Sequence, residues 1–285
     1  MVQARLNGYL DSDFDAALMP VIDLANPRPQ PPPPDFGPME ILNARREGDI
    51  RTEAERFAED GFVLLSHATN VRDWDNDIER VYLPEIEAIV RNRLFPGQRV
   101  EIQQRASLVR RGRGTSHPYA GGIHSDGPLS ANDYALNVRA FAGPQAENWW
   151  RAQYDRKDVR GFVNIDFWRT TNMTQPLRHM PLALCRPHSL ERADVVPATM
   201  KGIAPEGRES HHLMLRYNPG QAWAYFPEMR SDEVLAFKLC EFWKDQPDAR
   251  PQNVFHTAFA DPGTPPDVEE RQSCEHRVGV LILRD

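Results

Sequence analysis

The stretch Ile123-His124-Ser125-Asp126-Gly127, read together with Phe255-His256-Thr257-Ala258-Phe259, decides how this sequence is interpreted. In an extended chain, residues two positions apart lie on the same face, so His124 and Asp126 can share one metal ion. His256 lies in a short apolar run, which is typical of a strand with one polar residue facing a site. Two imidazoles and one carboxylate form the facial triad that holds non-heme Fe(II) and leaves three positions open. The sequence therefore predicts a metal site at His124, Asp126 and His256.

The surroundings of the first motif support this prediction. Ala120-Gly121-Gly122 precedes the motif and Gly127-Pro128 follows it, as expected for a short strand that enters a turn. Two other interpretations stay open because short motifs also occur by chance. His124 and Asp126 could be surface residues, and His256 could be a core histidine bound to a backbone carbonyl.

A candidate anion-binding group follows the second histidine. Arg271 stands fifteen positions after His256, at the start of a predicted strand, and Ser273 follows two residues later on the same face. A guanidinium offers a rigid two-pronged donor for a carboxylate, and a hydroxyl can add a further bond. Arg271 could instead form a surface pair with an adjacent glutamate. Arg277 is six residues farther along and faces the same side, so it remains an alternative anion clamp.

The pattern of apolar residues predicts a mainly β chain. Predicted strands cover residues 61–65, 101–110, 162–170, 221–226, 254–260 and 271–283. Predicted helices cover residues 49–59, 77–94, 148–159 and 232–245, with a kink or restart at Pro84. This mixture indicates a β-sandwich or barrel with peripheral helices.

Length and composition are those of a soluble enzyme. The chain has 285 residues, enough for one large domain, and contains no apolar run long enough to span a membrane. Its net charge of −7 argues against a nucleic-acid partner. Three cysteines without a C-x-x-C motif predict neither disulfides nor a cysteine zinc site. We expect a cytoplasmic protein with no membrane or nucleic-acid partner.

The chain divides into a lead segment and one domain. Residues 1–36 form an N-terminal extension whose second half is rich in proline and should be extended. It could be a plain tether, or a lid or dimer arm. Residues 37–285 form a single domain with a long insertion, because 130 positions separate Asp126 from His256. The oligomeric state is left open.

Several other stretches carry a family pattern. They are Asp60-Gly61-Phe62-Val63-Leu64, Gly161-Phe162-Val163-Asn164-Ile165-Asp166-Phe167-Trp168-Arg169, Met180-Pro181-Leu182-Ala183-Leu184-Cys185, Ala222-Trp223-Ala224-Tyr225-Phe226-Pro227-Glu228-Met229, Asp232-Glu233-Val234-Leu235-Ala236-Phe237-Lys238 and His256-Thr257-Ala258-Phe259-Ala260-Asp261-Pro262. With the order H-x-D, H and R-x-S, they make the chain resemble the iron(II)/2-oxoglutarate-dependent oxygenases. Within that group it is most similar to the CmcJ/AsaB-like (gibberellin-desaturase-like) family.

The resemblance implies a fold, cofactors and a reaction. The implied fold is a double-stranded β-helix (jelly-roll or cupin-like) core, and the implied cofactors are Fe(II) and 2-oxoglutarate, with dioxygen as co-reactant. Arg271 and Ser273, or Arg277, would hold the cosubstrate. The implied reaction is hydroxylation, desaturation or cyclisation of a small molecule in secondary metabolism, by hydrogen abstraction with an iron(IV)-oxo species. Because Asp126 supplies a carboxylate ligand, a halogenase, which needs that position for chloride, is disfavoured.

Five residues are candidates for substrate contact. Asn164 and Trp168 share one face of a predicted strand, and Arg169 lies on the other. Tyr134 and Tyr225 are further candidates, although aromatic strand residues more often belong to the core. We favour Trp168 over Arg169 inside the pocket, because burying an unpaired guanidinium is costly.

Two other functions remain possible from the sequence. A metal-dependent hydrolase could use the same His/Asp/His set with a metal-bound hydroxide. A non-catalytic β-sandwich could bind a small ligand without binding a metal tightly. Dependence on oxygen and on 2-oxoglutarate separates these functions from an oxygenase.

Overall fold

The computed structural model of the chain describes residues 1–26, 34–46, 48–104, 108–115, 117, 119–246 and 250–284. Residues 27–33, in the proline-rich stretch predicted to be extended, lie outside the described residues. The strands are β1 (Val2–Ala4), β2 (Val21–Asp23), β3 (Met39–Asn43), β4 (Phe62–Ser66), β5 (Val100–Gln104), β6 (Val109–Gly112), β7 (Val159–Thr170), β8 (Leu182–Cys185), β9 (Val195–Lys201), β10 (Ser210–Leu215), β11 (Trp223–Tyr225), β12 (Glu233–Trp243), β13 (His256–Ala258) and β14 (Gln272–Leu283). The α-helices are α1 (Glu53–Asp60), α2 (Leu83–Ile89), α3 (Ala131–Ala142) and α4 (Pro144–Tyr154).

The strands form two facing layers. Layer A contains a sheet of order β1-β3-β11-β8-β13 and a sheet of order β10-β9-β2. Layer B is a sheet of order β4-β12-β7-β14-β5, with β6 also paired to β14. The two sheets of layer A are joined by residues 124–125, since His124 pairs with His256 and Ser125 pairs with Leu213. The first metal motif therefore completes layer A.

The interior between the layers is apolar at one end and polar at the other. Apolar side chains such as Leu184 of layer A and Phe237 of layer B belong to one buried cluster. The ring of Phe237 also lies 4.8 Å from the ring of His256. The outer face of layer B packs on α1 and α2 through residues such as Phe57 and Ile86. This jelly-roll arrangement confirms the predicted mainly β fold with peripheral helices.

The helix predicted at residues 232–245 is wrong, because this segment is strand β12. The strand pairs with β4 along one edge and with β7 along the other, and most of its residues on both faces are buried. Leu235 faces the interior, whereas Val234 packs in the cluster beneath α1 and α2. A strand buried on both faces lacks the alternation of polar and apolar residues that identifies a half-exposed strand. Lys238 and Glu241 added to the error, since their ion pair of 2.8 Å has helical spacing.

Two helical regions differ from the prediction in detail. The segment predicted as a helix at 77–94 consists of α2 between π-helical turns at Ile78–Tyr82 and Val90–Leu94, and Pro84 stands at the start of α2. Helix α3 was not predicted, and α4 begins four residues before the predicted helix at 148–159. Together α3 and α4 form a hairpin that packs on layer B through an aromatic cluster including Trp150 and Phe162.

The described part of the N-terminal extension pairs with layer A. Strand β1 pairs with β3, and β2 pairs with β9. The indole of Trp223 donates a hydrogen bond of 2.7 Å to the hydroxyl of Tyr9, which is buried. The domain boundary at residue 36 remains a prediction. Within the described residues, every helix is too short or too polar to cross a lipid bilayer.

Candidate metal centre

The fold brings His124, Asp126 and His256 together at the polar end of the interior. One ligand atom from each residue lies within 4.8 Å of the other two. Nε2 of His124 is 3.9 Å from one carboxylate oxygen of Asp126, and Nε2 of His256 is 3.9 Å from the other. Two imidazole nitrogens and a carboxylate oxygen thus converge on one point, as the sequence predicted.

Backbone carbonyls orient both imidazoles. Nδ1 of His124 donates to the carbonyl of Gly122 at 2.7 Å, and Nδ1 of His256 donates to the carbonyl of Val254 at 3.1 Å. A carbonyl oxygen can only accept a hydrogen bond, so Nδ1 of each ring carries the proton. The lone pair of Nε2 is therefore directed at the convergence point. Burial also lowers the pKa of His256 to about 4, which keeps this ring neutral.

Two further residues lie against the triad carboxylate. Arg277 donates to one oxygen of Asp126 at 2.8 Å, and Nδ1 of His212 lies 3.2 Å from the other oxygen. Burial raises the pKa of Asp126, but Arg277, His212 and His124 outweigh it and hold this pKa well below its usual range. Asp126 is therefore ionised and fixed in direction, as a metal ligand requires.

Close contact between the layers positions the H-x-D motif. A Cβ atom at Gly127 would lie 2.1 Å from the carbonyl oxygen of Leu239, so only glycine fits there. Strand β12 has a register shift between Lys238 and Cys240, which places Leu239 at a bulge. The side chain of Ser125 donates to the same carbonyl at 3.4 Å. The bulge thus anchors the turn that carries Asp126.

A second polar group lies farther along the inner face of β14. Ser273 of β14 pairs with Thr170 of β7, and Arg271 precedes Ser273 by two residues. The hydroxyls of Ser273 and Thr170 and Nε of Arg271 are buried and have no hydrogen-bond partner among the described residues. Buried polar atoms are almost always hydrogen-bonded in folded proteins. Together these three residues form a polar group suited to a carboxylate, here called the anion pocket.

Arg271 is buried without a carboxylate partner among the described residues. Its guanidinium lies 4.3 Å from the centre of the Tyr119 ring and 5.6 Å from that of Trp168. Its Nη1 donates to the carbonyl of Met180 at 2.6 Å. Burial lowers the pKa of Arg271 to about 10. An anionic ligand would relieve the cost of this buried charge.

A cavity of about 560 Å³ adjoins the triad, and it distinguishes the candidate substrate residues. Asn164 and Tyr134 both line it and are joined by a hydrogen bond of 2.8 Å. Trp168 lies on the same face of β7 as Asn164 but is buried in the apolar interior, against Arg271. It therefore supports the anion pocket and does not line this cavity.

The structure separates the other two candidates from the triad. Arg169 lies on the outer face of layer B, where its guanidinium donates to the carbonyls of His67 and Ser231. Tyr225 packs edge-on against Phe259 in a different cluster and does not line the cavity beside Asp126 in the described part of the chain. The opposite orientations of Trp168 and Arg169 follow from strand alternation.

Sequence reasoning missed three residues of this region. His212 of β10 lies beside the triad carboxylate, and Thr170 faces Ser273 across the sheet. Asp166 is fully buried, pairs in register with Arg277, and has no hydrogen-bond partner among the described residues. Burial and the nearby Glu275 raise the pKa of Asp166 well above its usual range. Strand alternation from Asn164 would have placed Asp166 and Thr170 inside, whereas His212 gave no signal.

Sequence comparisons place the chain among oxidoreductases. A family model described as an oxidoreductase/YMDC permease-like domain matches residues 37–281. The alpha-ketoglutarate-dependent dioxygenase phiK of a fungal species (strain ATCC 74256) is 24% identical over an alignment of 282 residues. The match covers 87% of this chain and 90% of that protein. The hydroxylase/desaturase asaB of Aspergillus flavus is 32% identical over 128 residues, which cover 40% of this chain and 56% of that protein.

Structural comparisons find the same fold. The iron and alpha-ketoglutarate-dependent endoperoxidase NvfI superposes with a TM-score of 0.67 at 19% identity, over 93% of this chain and 94% of the other. A second conformation of NvfI gives a TM-score of 0.68 at 19% identity, over 100% of this chain and 97% of the other. The two layers therefore form the double-stranded β-helix that the sequence resemblance implied.

Proposed function

Since the chain belongs to the oxidoreductase/YMDC permease-like domain family, we propose that it is a non-heme Fe(II)/2-oxoglutarate-dependent oxygenase acting on a small molecule. The observation that carries this proposal is the pairing of two sites in one interior. His124, Asp126 and His256 offer a facial set of ligands, and Arg271 with two unpaired hydroxyls offers an anion pocket. A hydrolase that used the same triad would give the second site no role.

The metal site suits Fe(II). Nitrogen ligands from two histidines and one carboxylate oxygen are the donor set of the 2-His-1-carboxylate oxygenases. Arg277 fixes the carboxylate of Asp126, His212 lies beside it, and backbone carbonyls fix both imidazoles. Iron held by these three residues would supply the activation of dioxygen.

The anion pocket suits the distal carboxylate of 2-oxoglutarate. Arg271 supplies the positive charge, and the hydroxyls of Ser273 and Thr170 supply two further donors. Arg277 is a poorer clamp, because it is already bound to Asp126. This distribution of partners favours Arg271 over Arg277 as the cosubstrate residue. The burial of Arg271 excludes water from the pair and strengthens it.

The remaining residues orient the substrate and shield the site. The cavity beside Asp126 is large enough for a small organic molecule. Asn164 and Tyr134 line its wall and can bind a polar group of the substrate. Hydroxylation is the default outcome, and desaturation or ring closure would begin in the same way. The names of two relatives, a dioxygenase and a hydroxylase/desaturase, fit hydroxylation or desaturation. The sequence resemblance implies a role in secondary metabolism.

Anaerobic reconstitution tests the proposal. We expect the purified chain to bind one Fe(II), and 2-oxoglutarate added without oxygen to give the visible absorption of its Fe(II) chelate. Admission of dioxygen should then yield succinate. Hydrolysis that proceeds without oxygen or 2-oxoglutarate would instead indicate a metal hydrolase. Failure to bind any divalent metal tightly would indicate a non-catalytic binding protein.

A further inference from the structure

Two exposed aromatic side chains lie at the mouth of the cavity beside the triad. Phe141 is 40% exposed and Trp149 is 54% exposed, and both line the cavity. They are the only phenylalanine and tryptophan among the large apolar side chains that are exposed in the described part of the chain. Exposed apolar groups gathered at one opening are typical of a ligand-binding site.

The hairpin of α3 and α4 fixes the position of these two rings. Trp150, next to Trp149, is buried and stacks on Tyr154 with ring centres 5.1 Å apart. Asn137 of α3 forms two hydrogen bonds with the backbone of His211, of 2.8 and 2.7 Å. The mouth is therefore built on anchored helices, and its two exposed rings are positioned in advance of binding.

The charged groups at the inner end of the cavity neutralise each other. Arg277 lies 2.8 Å from Asp126 and 3.5 Å from Glu275. Arg111 lies 3.0 Å from Glu275. A charged substrate would have to break these pairs or remain unpaired in a partly desolvated cavity, and both are costly. The inner end thus favours a neutral substrate.

Amide side chains provide polar contacts along the wall, and two of them lie on neighbouring strands. Gln103 of β5 and Asn164 of β7 flank Gly279 of β14 from opposite sides, and all three residues line the cavity. Amide side chains can donate and accept hydrogen bonds without carrying charge. They suit a carbonyl or hydroxyl group on an otherwise apolar molecule.

We infer that the substrate is a neutral, ring-containing apolar molecule with a carbonyl or hydroxyl group, whose ring is held between Phe141 and Trp149. This inference rests on the proposed function, since it places the substrate beside the triad. Offset or edge-to-face contact with an aromatic ring stabilises a bound ring beyond the burial of its area. Loss of either ring should therefore weaken binding roughly ten-fold.

A fluorescent probe tests the inference without turnover. The probe is prodan, a neutral naphthalene ketone, titrated into the full chain with Fe(II) and 2-oxoglutarate under anaerobic conditions. The competitors are 2-acetylnaphthalene and 2-naphthoate, which have the same ring and differ in charge. We expect saturable prodan binding, with 2-acetylnaphthalene displacing prodan at roughly ten-fold lower concentration than 2-naphthoate.

Variants locate the binding site. Phe141→Ala and Trp149→Ala should each weaken prodan binding roughly ten-fold. Trp149→Phe, which keeps a ring, and Ile203→Ala, at an exposed position outside the cavity lining, should bind prodan as the native chain does. Circular dichroism checks that each variant is folded.

Three results would overturn the inference: no saturable prodan binding, displacement by 2-naphthoate at the same or a lower concentration, or native affinity in both alanine variants. None of these results depends on succinate formation. A chain that bound the neutral probe at this mouth but formed no succinate would contradict the oxygenase proposal and leave the binding site in place.

Discussion

Two arginines, Arg277 within β14 and Arg271 just before its first residue, have opposite surroundings. Arg277 lies between the carboxylates of Asp126 and Glu275. Arg271, six residues away on the same face, contacts two aromatic rings and a backbone carbonyl, with no carboxylate partner among the described residues. Carboxylates neutralise the charge of Arg277, whereas Arg271 has no carboxylate beside it in the described part of the chain.

This difference separates a positioning role from a binding role. A buried charge without a partner costs several kcal/mol, so a fold retains one only where something compensates. The unpaired hydroxyls of Thr170 and Ser273 accompany Arg271, whereas the polar groups around Arg277 are the triad itself. We therefore expect changes at Arg271 and at Arg277 to affect different ligands.

The largest effect should come from removing the carboxylate that Arg277 binds. Asp126→Ala deletes a metal ligand, so the affinity for Fe(II) should fall by more than the roughly 10–100-fold typical of an outer-shell partner. Succinate formation should fall to background. Iron content after anaerobic reconstitution measures this, with the exposed Asp267→Ala as a matched control. Native iron content in Asp126→Ala would refute the triad.

Arg271→Ala should distinguish the roles of the two arginines most clearly. Loss of a charge-assisted pair in a dry pocket should cost about 1.5–3 kcal/mol, so the affinity for 2-oxoglutarate should fall roughly ten- to hundred-fold. Iron binding should be unchanged. Titration of 2-oxoglutarate into the Fe(II) protein, followed by visible absorption, gives the affinity.

Arg277→Ala is the matched comparison for this experiment. It removes a partner of Asp126, so iron affinity should fall roughly 10–100-fold while the iron that remains bound keeps its affinity for 2-oxoglutarate. Suppose instead that Arg277→Ala abolishes 2-oxoglutarate binding and Arg271→Ala has no effect. The roles assigned to Arg271 and Arg277 would then have to be exchanged.

Removing the hydroxyl of Ser273 or of Thr170 should give a smaller effect. Ser273→Ala and Thr170→Val each remove one donor to the cosubstrate carboxylate, at a cost of about 1.5 kcal/mol or roughly ten-fold in affinity. If both donors contact one carboxylate, the double variant should depart from the sum of the single effects. Native affinity in Thr170→Val would remove this residue from the pocket.

Asp166, which pairs in register with Arg277, tests whether the buried carboxyl group beside that arginine is neutral in the folded protein. Its folded-state pKa is raised by burial and by Glu275, so its contribution to stability is full below pH about 4 and is lost as pH rises toward that pKa. Asn does not titrate. The stability of Asp166→Asn relative to the native chain should therefore increase with pH, by at most about 1.4 kcal/mol per unit.

Denaturant unfolding at several pH values between 4 and 8 measures this difference. A difference that stays constant across the range would mean that Asp166 has an ordinary pKa in the folded chain. Loss of iron binding in Asp166→Asn at constant stability would instead point to a direct role at the metal.

Strand alternation explains what the sequence could and could not predict. Residue spacing placed His124 with Asp126, and Arg271 with Arg277, on common faces. The spacing within β7 likewise placed Trp168 opposite Arg169. It could not predict that His212 reaches Asp126, because that contact depends on the pairing of Leu213 with Ser125 across the sheet.

The limits of pattern reading have two physical causes here. Strand β12 is buried on both faces, so its apolar residues do not alternate with polar ones and a helix was predicted. Tyr225, a candidate for substrate contact, packs against Phe259 and lines a cavity separate from the one beside Asp126. An aromatic strand residue looks the same in sequence whichever cavity or core it faces, so spacing alone could not place it.

The junction in layer A links cofactor supply to the lifetime of the protein. Two backbone hydrogen bonds between His124 and His256, and two between Ser125 and Leu213, join its two sheets. A metal ion held by both histidines would link His124 to His256 through their side chains, in addition to these backbone bonds. A ligand that binds only the folded state stabilises it by mass action. Iron limitation would then loosen the junction first, and proteases would remove the apoprotein sooner than the loaded enzyme.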